Sequence, residues 1–177
     1  MGQRIFLSFR SALYISGFMA LWLWIVPRWL GLPTSASYPV SQPLRWLGVP
    51  PLLLGAAIAA NCFVNFVASG SGTPAPFDAP RRLVVSGVYR YVRNPMYVGA
   101  GLFLAGCAIL FADFSRTLLW YALGLIAGVN LFILVYEEPT LRHKFDGSYE
   151  EYCRNVSRWL PRVRPWKPEE TTSAKQA

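Results

Sequence analysis

Long apolar stretches separated by short polar ones are the most regular feature of the chain. Four such stretches occur: Ser11 to Val26 preceded by Ile5 to Phe9, Leu47 to Ala68, Met96 to Ala112, and Thr117 to Tyr136. Apart from Arg10, at the edge of the first stretch, they contain no charged residue. Each is close to the roughly 20 residues that cross a bilayer as a helix. The pattern predicts four transmembrane helices, near residues 5–29, 45–69, 95–112 and 115–137.

Polar residues after the fourth stretch alternate with apolar ones at helical spacing. Leu141, Phe145, Tyr149 and Tyr152 recur with charged residues between them, which predicts short surface helices over residues 139–158. The segment 165–177 is polar and is expected to be disordered.

Composition agrees with a membrane protein. Apolar residues make up 54% of the 177 residues and the mean hydropathy is +0.32, which is more than a soluble core of this size needs. The sequence therefore predicts an all-α integral membrane protein with one domain, residues 1–164. The first span resembles a secretory signal, because Ser35-Ala36-Ser37 could be a cleavage site, but its apolar stretch is long and three more spans follow, which favours a retained span.

The net charge of +8 is unevenly distributed along the chain. If four spans place both termini on one side, 14 of the 17 basic residues lie on that side and Arg28, Arg45 and Arg116 lie on the other. This asymmetry follows the positive-inside rule, so both termini are expected in the cytoplasm of a cell or inner membrane. A membrane thus explains the charge better than nucleic acid does. Cys62, Cys107 and Cys153 lack metal-like spacing, so no metal site is expected.

Three amides within the apolar stretches need hydrogen-bond partners. Asn61 and Asn65 are four residues apart and share a helix face, and Asn130 lies in the fourth span. Asn61 and Asn65 either bond a neighbouring helix or line a polar cavity, and interhelical bonding is favoured. For Gly101, Gly106 and the Gly124/Gly128 pair, close helix packing is the favoured interpretation.

Residues 69–93 form the longest connection between spans. The stretch SGSGTPAPFDAPRR contains too much Gly and Pro for a helix, and it leads into GVYRYVRNPMYVG, residues 87–99. Its length favours a functional loop over a flexible linker. Asn94-Pro95 predicts a helix start, and the amide donors there, beside Arg90 and Arg93, are expected to attract a carboxylate or phosphate.

The fourth span ends in YEEP, residues 136–139. Adjacent helical residues project about 100° apart, so Glu137 and Glu138 are expected to serve different partners. Pro139 makes a helix break or a new helix start at Glu138 plausible. Pairing with Arg90, Arg93 or Arg142 and contact with a ligand are equally compatible with these carboxylates.

Together, GVYRYVRNPMYVG and YEEPTLRHKFDGSYEEYCRNVSRWLP resemble the isoprenylcysteine carboxyl methyltransferase and phospholipid methyltransferase superfamily of membrane enzymes. The resemblance covers about the C-terminal 90 residues, and the first two spans match only in character. It implies S-adenosylmethionine as the methyl donor, bound in a cytoplasmic loop. Where the family has His before Pro this chain has Asn94, so a role that needs an imidazole there is in doubt.

The resemblance also implies which residues form the site. Carried over by position, the cofactor-binding candidates are Tyr89, Arg90, Arg93, Asn94, Pro95, Tyr97, Gly99, Glu137 and Glu138, and the catalytic candidates are Glu137, Glu138 and Arg90. The rings of Tyr89 and Tyr91 either flank the cofactor or act as interfacial anchors. Arg142 and Arg158 either hold an acidic headgroup or face anionic lipid, and the lipid interpretation is favoured.

The expected reaction is in-line methyl transfer to a lipophilic or membrane-associated acceptor. A carboxylate acceptor needs little acid or base help, whereas an amine or thiol must lose a proton, for which Glu137, Glu138 and His143 are the nearby candidates. The sequence leaves the acceptor and the oligomeric state open. The alternatives are a nicotinamide-dependent membrane reductase, whose phosphates a basic pocket would suit, and a non-enzymatic four-span protein.

Overall fold

The computed structural model describes residues 20–31, 43–69, 83–111 and 116–167, together with Phe9, Leu13, Ser16 and Gly17. Within these residues every regular element is helical. Most of the first predicted span and residues 32–42, 70–82, 112–115 and 168–177 lie outside the described residues. Predictions about those segments remain predictions.

The described helices follow the apolar stretches of the sequence. The bounds are as follows: α1 comprises a π-helical turn, Leu21–Ile25, and Val26–Trp29; a 3-10 segment, Pro43–Gly48, leads into α2, Val49–Ser69; α3 is Pro95–Phe111; α4 is Arg116–Phe132; a π-helical turn, Ile133–Glu137, leads into α5, Glu138–Asn155. Two helical runs, Pro43–Asn65 and Leu118–Asn155, are long and apolar enough to cross a membrane. Pro95–Phe111 is apolar but shorter.

Hydrogen bonds between helix ends define the direction of the helices. Arg45 Nη1, before α2, donates to the Leu110 carbonyl at the end of α3 over 3.0 Å. Tyr97, at the start of α3, bonds Glu137, which follows α4. α2, α3 and α4 therefore alternate in direction, and one end of the bundle gathers the end of α2, the start of α3 and the π turn after α4. This end is called the site end below.

Glycines allow α2 and α3 to cross in close contact. A Cβ on Gly55 would lie 2.5 Å from both the Gly99 carbonyl oxygen and the Phe103 amide nitrogen, and a Cβ on Gly106 would lie 2.6 Å from the Leu52 amide nitrogen. Backbone atoms at such distances cannot yield as a flexible side chain can, so only glycine fits. The packing interpretation of Gly106 is confirmed. Gly101, Gly124 and Gly128 meet nothing within 4 Å among the described residues.

The last described segment folds back over the site end. α5 is bent at Asp146, which has φ 40° and ψ −127°, so the expected surface helices form two arms. Tyr149, Tyr152 and Val156 form a small buried cluster. Beyond Asn155 the chain is irregular, and residues 156–167 are called the strap below. Trp166, in the segment 165–177 for which the sequence predicts disorder, packs on the ring of Tyr152.

The glycine crossing gives a matched pair of variants. Gly55→Ala is expected to destabilise the protein by about 1–3 kcal/mol, because the added methyl group overlaps the α3 backbone. Gly101→Ala adds the same group to open space, so it is expected to be neutral or to stabilise α3 by up to about 1 kcal/mol through helix propensity. Thermal unfolding of the detergent-solubilised variants measures both effects. Equal melting temperatures would contradict the close crossing.

Candidate functional site

The start of α3 is held in a specific conformation by its own sequence. Pro95 is fully buried at the first helical position, where its missing N–H costs nothing. The Asn94 carbonyl accepts the first intrahelical bond, from Val98 N at 3.1 Å. Before it, Gly87 adopts φ 54° and begins the 3-10 turn Gly87–Arg90. The predicted Asn-Pro helix start is confirmed, and it leaves first-turn amides directed out of the site end.

Asn61 and Asn65 hold this loop against α2. Asn65 Nδ2 donates to Asn61 Oδ1 at 2.8 Å, and Ser86 Oγ donates to Asn65 Oδ1 at 3.2 Å. A Cβ on Gly87 would lie 2.4 Å from Asn65 Nδ2, so the loop backbone lies directly on the two amides. These bonds join the two amides to each other and to the loop; bonding to a neighbouring helix, the interpretation that the sequence favoured, remains a prediction.

The strap holds the same loop from its other side. The amides of Arg162 and Trp166 each donate over 2.9 Å, to the carbonyls of Tyr91 and Arg90 respectively, and the Arg93 amide donates to Ser157 O at 2.9 Å. Such backbone pairing does not depend on side-chain identity. It fixes residues 90–93 between α2 and the strap.

Proline explains the shape of the second charged stretch. Pro139 has no N–H, and its ring would clash with the carbonyl four residues earlier in a regular helix. The helix widens instead: Ile133–Glu137 is a π turn, and the Glu138 amide bonds the Ile133 carbonyl. Glu138 keeps helical angles, φ −63° and ψ −44°, so the chain does not break there. Single π turns of this kind are frequent at functional sites.

Glu138 is the buried anion at the centre of the site end, with 7% of its surface exposed. Arg158 binds it through two bonds, Nε to Oε1 at 2.8 Å and Nη2 to Oε2 at 2.9 Å. Arg93 Nη1 lies 3.2 Å from the same Oε1. Hydrogen bonding to Glu138 raises the pKa of Arg158. Glu138 thus accepts three hydrogen bonds from two arginines, and this charge pairing accounts for its burial.

Arg93 links the ion pair to the loop and to α5. Its side chain is 12% exposed, and Nη1 also donates to Cys153 Sγ at 2.7 Å. Its Nε is buried and has no hydrogen-bond partner among the described residues. A buried unpaired donor is costly, so this atom is suited to an acceptor supplied by a bound molecule.

Glu137 has a different environment from Glu138, as the helix geometry predicted. Glu137 Oε2 accepts a hydrogen bond from the Tyr97 hydroxyl at 2.9 Å, and no arginine pairs with it within the described part of the chain. The bond joins the first turn of α3 to the π turn. Glu137, which accepts one such bond, therefore retains more acceptor capacity than Glu138, which accepts three.

The remaining candidates divide between ligand-facing and structural positions. Arg90 Nε donates to the Trp166 carbonyl at 2.8 Å, which leaves the outer nitrogens of its guanidinium for other contacts. Tyr89 is half-buried with its hydroxyl beside the Cys62 thiol, and burial raises the pKa of Tyr89. A Cβ on Gly99 would meet Gly55 O and Ile58 Cγ2 at 3.0 Å. Gly99 therefore serves helix packing.

Two arginines lie in contacts that the sequence did not predict. Arg142 pairs with Glu150 on the exposed face of α5, and Arg158 pairs with Glu138. Arg158 follows Glu138 by twenty residues and reaches it only because α5 bends at Asp146. No spacing rule in the sequence signals that pairing. His143 is exposed on α5, and the described residues contain no group of three potential metal ligands.

Comparison with known proteins finds a family whose match includes both charged stretches, residues 87–99 and 136–139. The chain matches the phospholipid methyltransferase family over residues 44–148, more than half of its length. Over 81 residues it is 37% identical to the protein-S-isoprenylcysteine O-methyltransferase of Schizosaccharomyces pombe (strain 972 / ATCC 24843), a match that covers 46% of this chain and 34% of that protein. The chain thus spans about a third of the length of this relative.

No solved structure matches the chain, so the assignment depends on the sequence comparisons. The family match includes α2, α3, α4 and the first arm of α5, and hence both charged stretches. The chain belongs to the phospholipid methyltransferase family, and the resemblance inferred from its two charged stretches is confirmed.

Proposed function

We propose that this protein transfers a methyl group from S-adenosylmethionine to a lipophilic or membrane-associated acceptor at the cytoplasmic face of a membrane. Four spans with both termini in the cytoplasm are part of this proposal. The observation that carries it is a pair of neighbouring contacts between the two charged stretches: Tyr97 of α3 bonds Glu137 of the π turn, and Arg93 of the preceding loop bonds Glu138, the first residue of α5. Family membership supplies the class of reaction.

The residues at this contact fit the donor by charge. S-adenosylmethionine carries a carboxylate, an ammonium group and, at its sulfonium, the electrophilic methyl group that it supplies when bound. The unpaired Arg93 Nε and the first-turn amides of α3 are donors suited to the carboxylate. Glu137, which has a single protein partner among the described residues, is an acceptor suited to the ammonium group.

Each remaining residue has a defined part in this proposal. Tyr97 orients the Glu137 carboxylate through its hydroxyl, and the outer guanidinium nitrogens of Arg90 extend the cationic side of the site. Glu138, Arg93 and Arg158 position α3, the π turn and the strap relative to one another. Methyl transfer then depends mainly on holding donor and acceptor in line and excluding water. For an amine or thiol acceptor, Glu137 is the carboxylate placed to accept the proton.

The names of the relatives define two acceptor classes to test. The family is named for phospholipids, and the S. pombe relative is named for isoprenylcysteine. Both are lipophilic molecules, and both fit a helical protein with a charged end at a bilayer surface. We therefore infer that the acceptor enters from the bilayer, while the soluble donor enters from water.

The proposal is tested by labelling. Purified protein in native lipid extract, given methyl-labelled S-adenosylmethionine, is expected to transfer label to an organic-soluble product, which mass spectrometry then identifies. A carboxyl methyl ester would indicate an isoprenylcysteine-type acceptor, and a methylated amine headgroup would indicate a phospholipid. Saturable binding of NADPH without any binding of S-adenosylhomocysteine would contradict the proposal.

The two neighbouring glutamates are expected to separate binding from stability. Glu137→Gln should weaken S-adenosylhomocysteine binding by about 10- to 100-fold, the usual effect of losing a charged hydrogen bond, with little change in melting temperature. Isothermal titration in detergent measures the affinity. Glu150→Gln is the matched control, because Glu150 is an exposed carboxylate paired with Arg142. Full affinity in Glu137→Gln would remove Glu137 from the site.

Glu138→Gln is expected to act on folding. The substitution leaves Arg93 and Arg158 without their anion in a buried setting, which costs about 3–5 kcal/mol. The melting temperature should fall by far more than in Glu137→Gln. A stable Glu138→Gln protein that has lost only cofactor affinity would reverse the roles assigned to the two carboxylates.

A further inference from the structure

The strap combines exposed apolar side chains with unbalanced positive charge. Leu160 and Val163 are 76% and 97% exposed. The strap contains no acidic residue and four basic ones: Arg158, Arg162, Arg164 and Lys167. Glu138 neutralises Arg158, and none of the other three forms an ion pair with a described residue. An exposed surface of this composition is suited to an anionic, partly apolar partner.

The position of Trp159 places the tip of the strap at the level of the bilayer. Trp159 Nε1 donates to Asn130 Oδ1 at 3.1 Å. Asn130 lies seven residues before Glu137. Along a helix this spacing is about 10 Å, so Asn130 lies about 10 Å from the site end. Leu131 and Leu134 of the same helical run are exposed there, so this surface faces lipid in a membrane. Leu160, which follows Trp159, is therefore placed at the interface, where tryptophan is also common.

The strap then returns to the loop that carries Arg90 and Arg93. The amides of Arg162 and Trp166 bond loop carbonyls, while Val163, Arg164 and Lys167 are exposed. The strap thus contacts the candidate site through its backbone and leaves apolar and cationic side chains for another partner. A partner that binds only this arrangement stabilises the strap on the loop by mass action.

We propose that the strap is a binding element for anionic lipid: Leu160 and Val163 insert at the interface, and Arg164 and Lys167 contact lipid phosphates. Lipid contact holds the strap against residues 90–93. A consequence that rests on the proposed function is that affinity for S-adenosylmethionine rises with the anionic lipid content of the membrane.

The amides of Arg162 and Trp166 report the closed strap directly. Their hydrogen exchange is compared for the full chain in nanodiscs of phosphatidylcholine alone and of phosphatidylcholine mixed with phosphatidylglycerol. Exchange is expected to be at least about tenfold slower in the anionic discs, since each cation near an anionic surface changes the equilibrium about fivefold. The double variant Arg164→Gln/Lys167→Gln should lose most of this difference. Lys144→Gln, an exposed cation of α5, is the control and should retain it.

Two results would overturn the proposal. One is equal exchange of these amides in the two lipids, with α3 amides showing that the protein is folded in both. The other is protection that follows protein concentration instead of lipid charge, which would make a second copy of the chain the occupant. Binding of S-adenosylhomocysteine is measured in the same discs. Its absence from both lipids would contradict the proposed function, whereas the exchange comparison would still decide the role of the strap.

Discussion

The structure of the site end depends on neutralising one buried carboxylate. Glu138 lies on a helical run that is long and apolar enough to cross a membrane, where an unpaired charge is expensive. Arg93, from the loop before α3, and Arg158, from the strap, both bind it. The loop before α3, the start of α5 and the strap are thereby fixed to one another.

This arrangement explains why adjacent glutamates have different uses. Glu138 forms ion pairs with Arg93 and Arg158. Glu137, one residue earlier, accepts a hydrogen bond from the Tyr97 hydroxyl and can accept further bonds. Pro139 contributes to the difference, because the π turn that accommodates it sets the directions in which both side chains project. The sequence left charge pairing and ligand contact as alternatives for the two residues. Charge pairing is seen for Glu138, and ligand contact is proposed for Glu137.

The strap extends the same logic to the membrane. Its backbone bonds the loop, while Leu160, Val163, Arg164 and Lys167 are exposed. In the proposed lipid contact, a change at the lipid surface reaches residues 90–93 through these backbone bonds, and the hydrogen bond from Trp159 to Asn130 sets the depth of the strap. Arg158, next to Trp159 in sequence, instead pairs with the buried carboxylate of Glu138.

The sequence by itself determined the helical class, the bounds of α2, α3 and α4 within a few residues, the Asn-Pro helix start, the family, and the two stretches that form the site end. It could do so because apolar length, helix capping and the spacing of charged motifs are local properties of the chain. Only the tertiary structure decided that Arg158 and not Arg142 pairs with Glu138, that Gly99 packs against Gly55, that Asn61 and Asn65 hold the loop, and that Trp166 packs on Tyr152. Each of these depends on a contact between distant segments, set by the bend at Asp146 or the crossing of α2 and α3. The local sequence pattern does not predict such contacts.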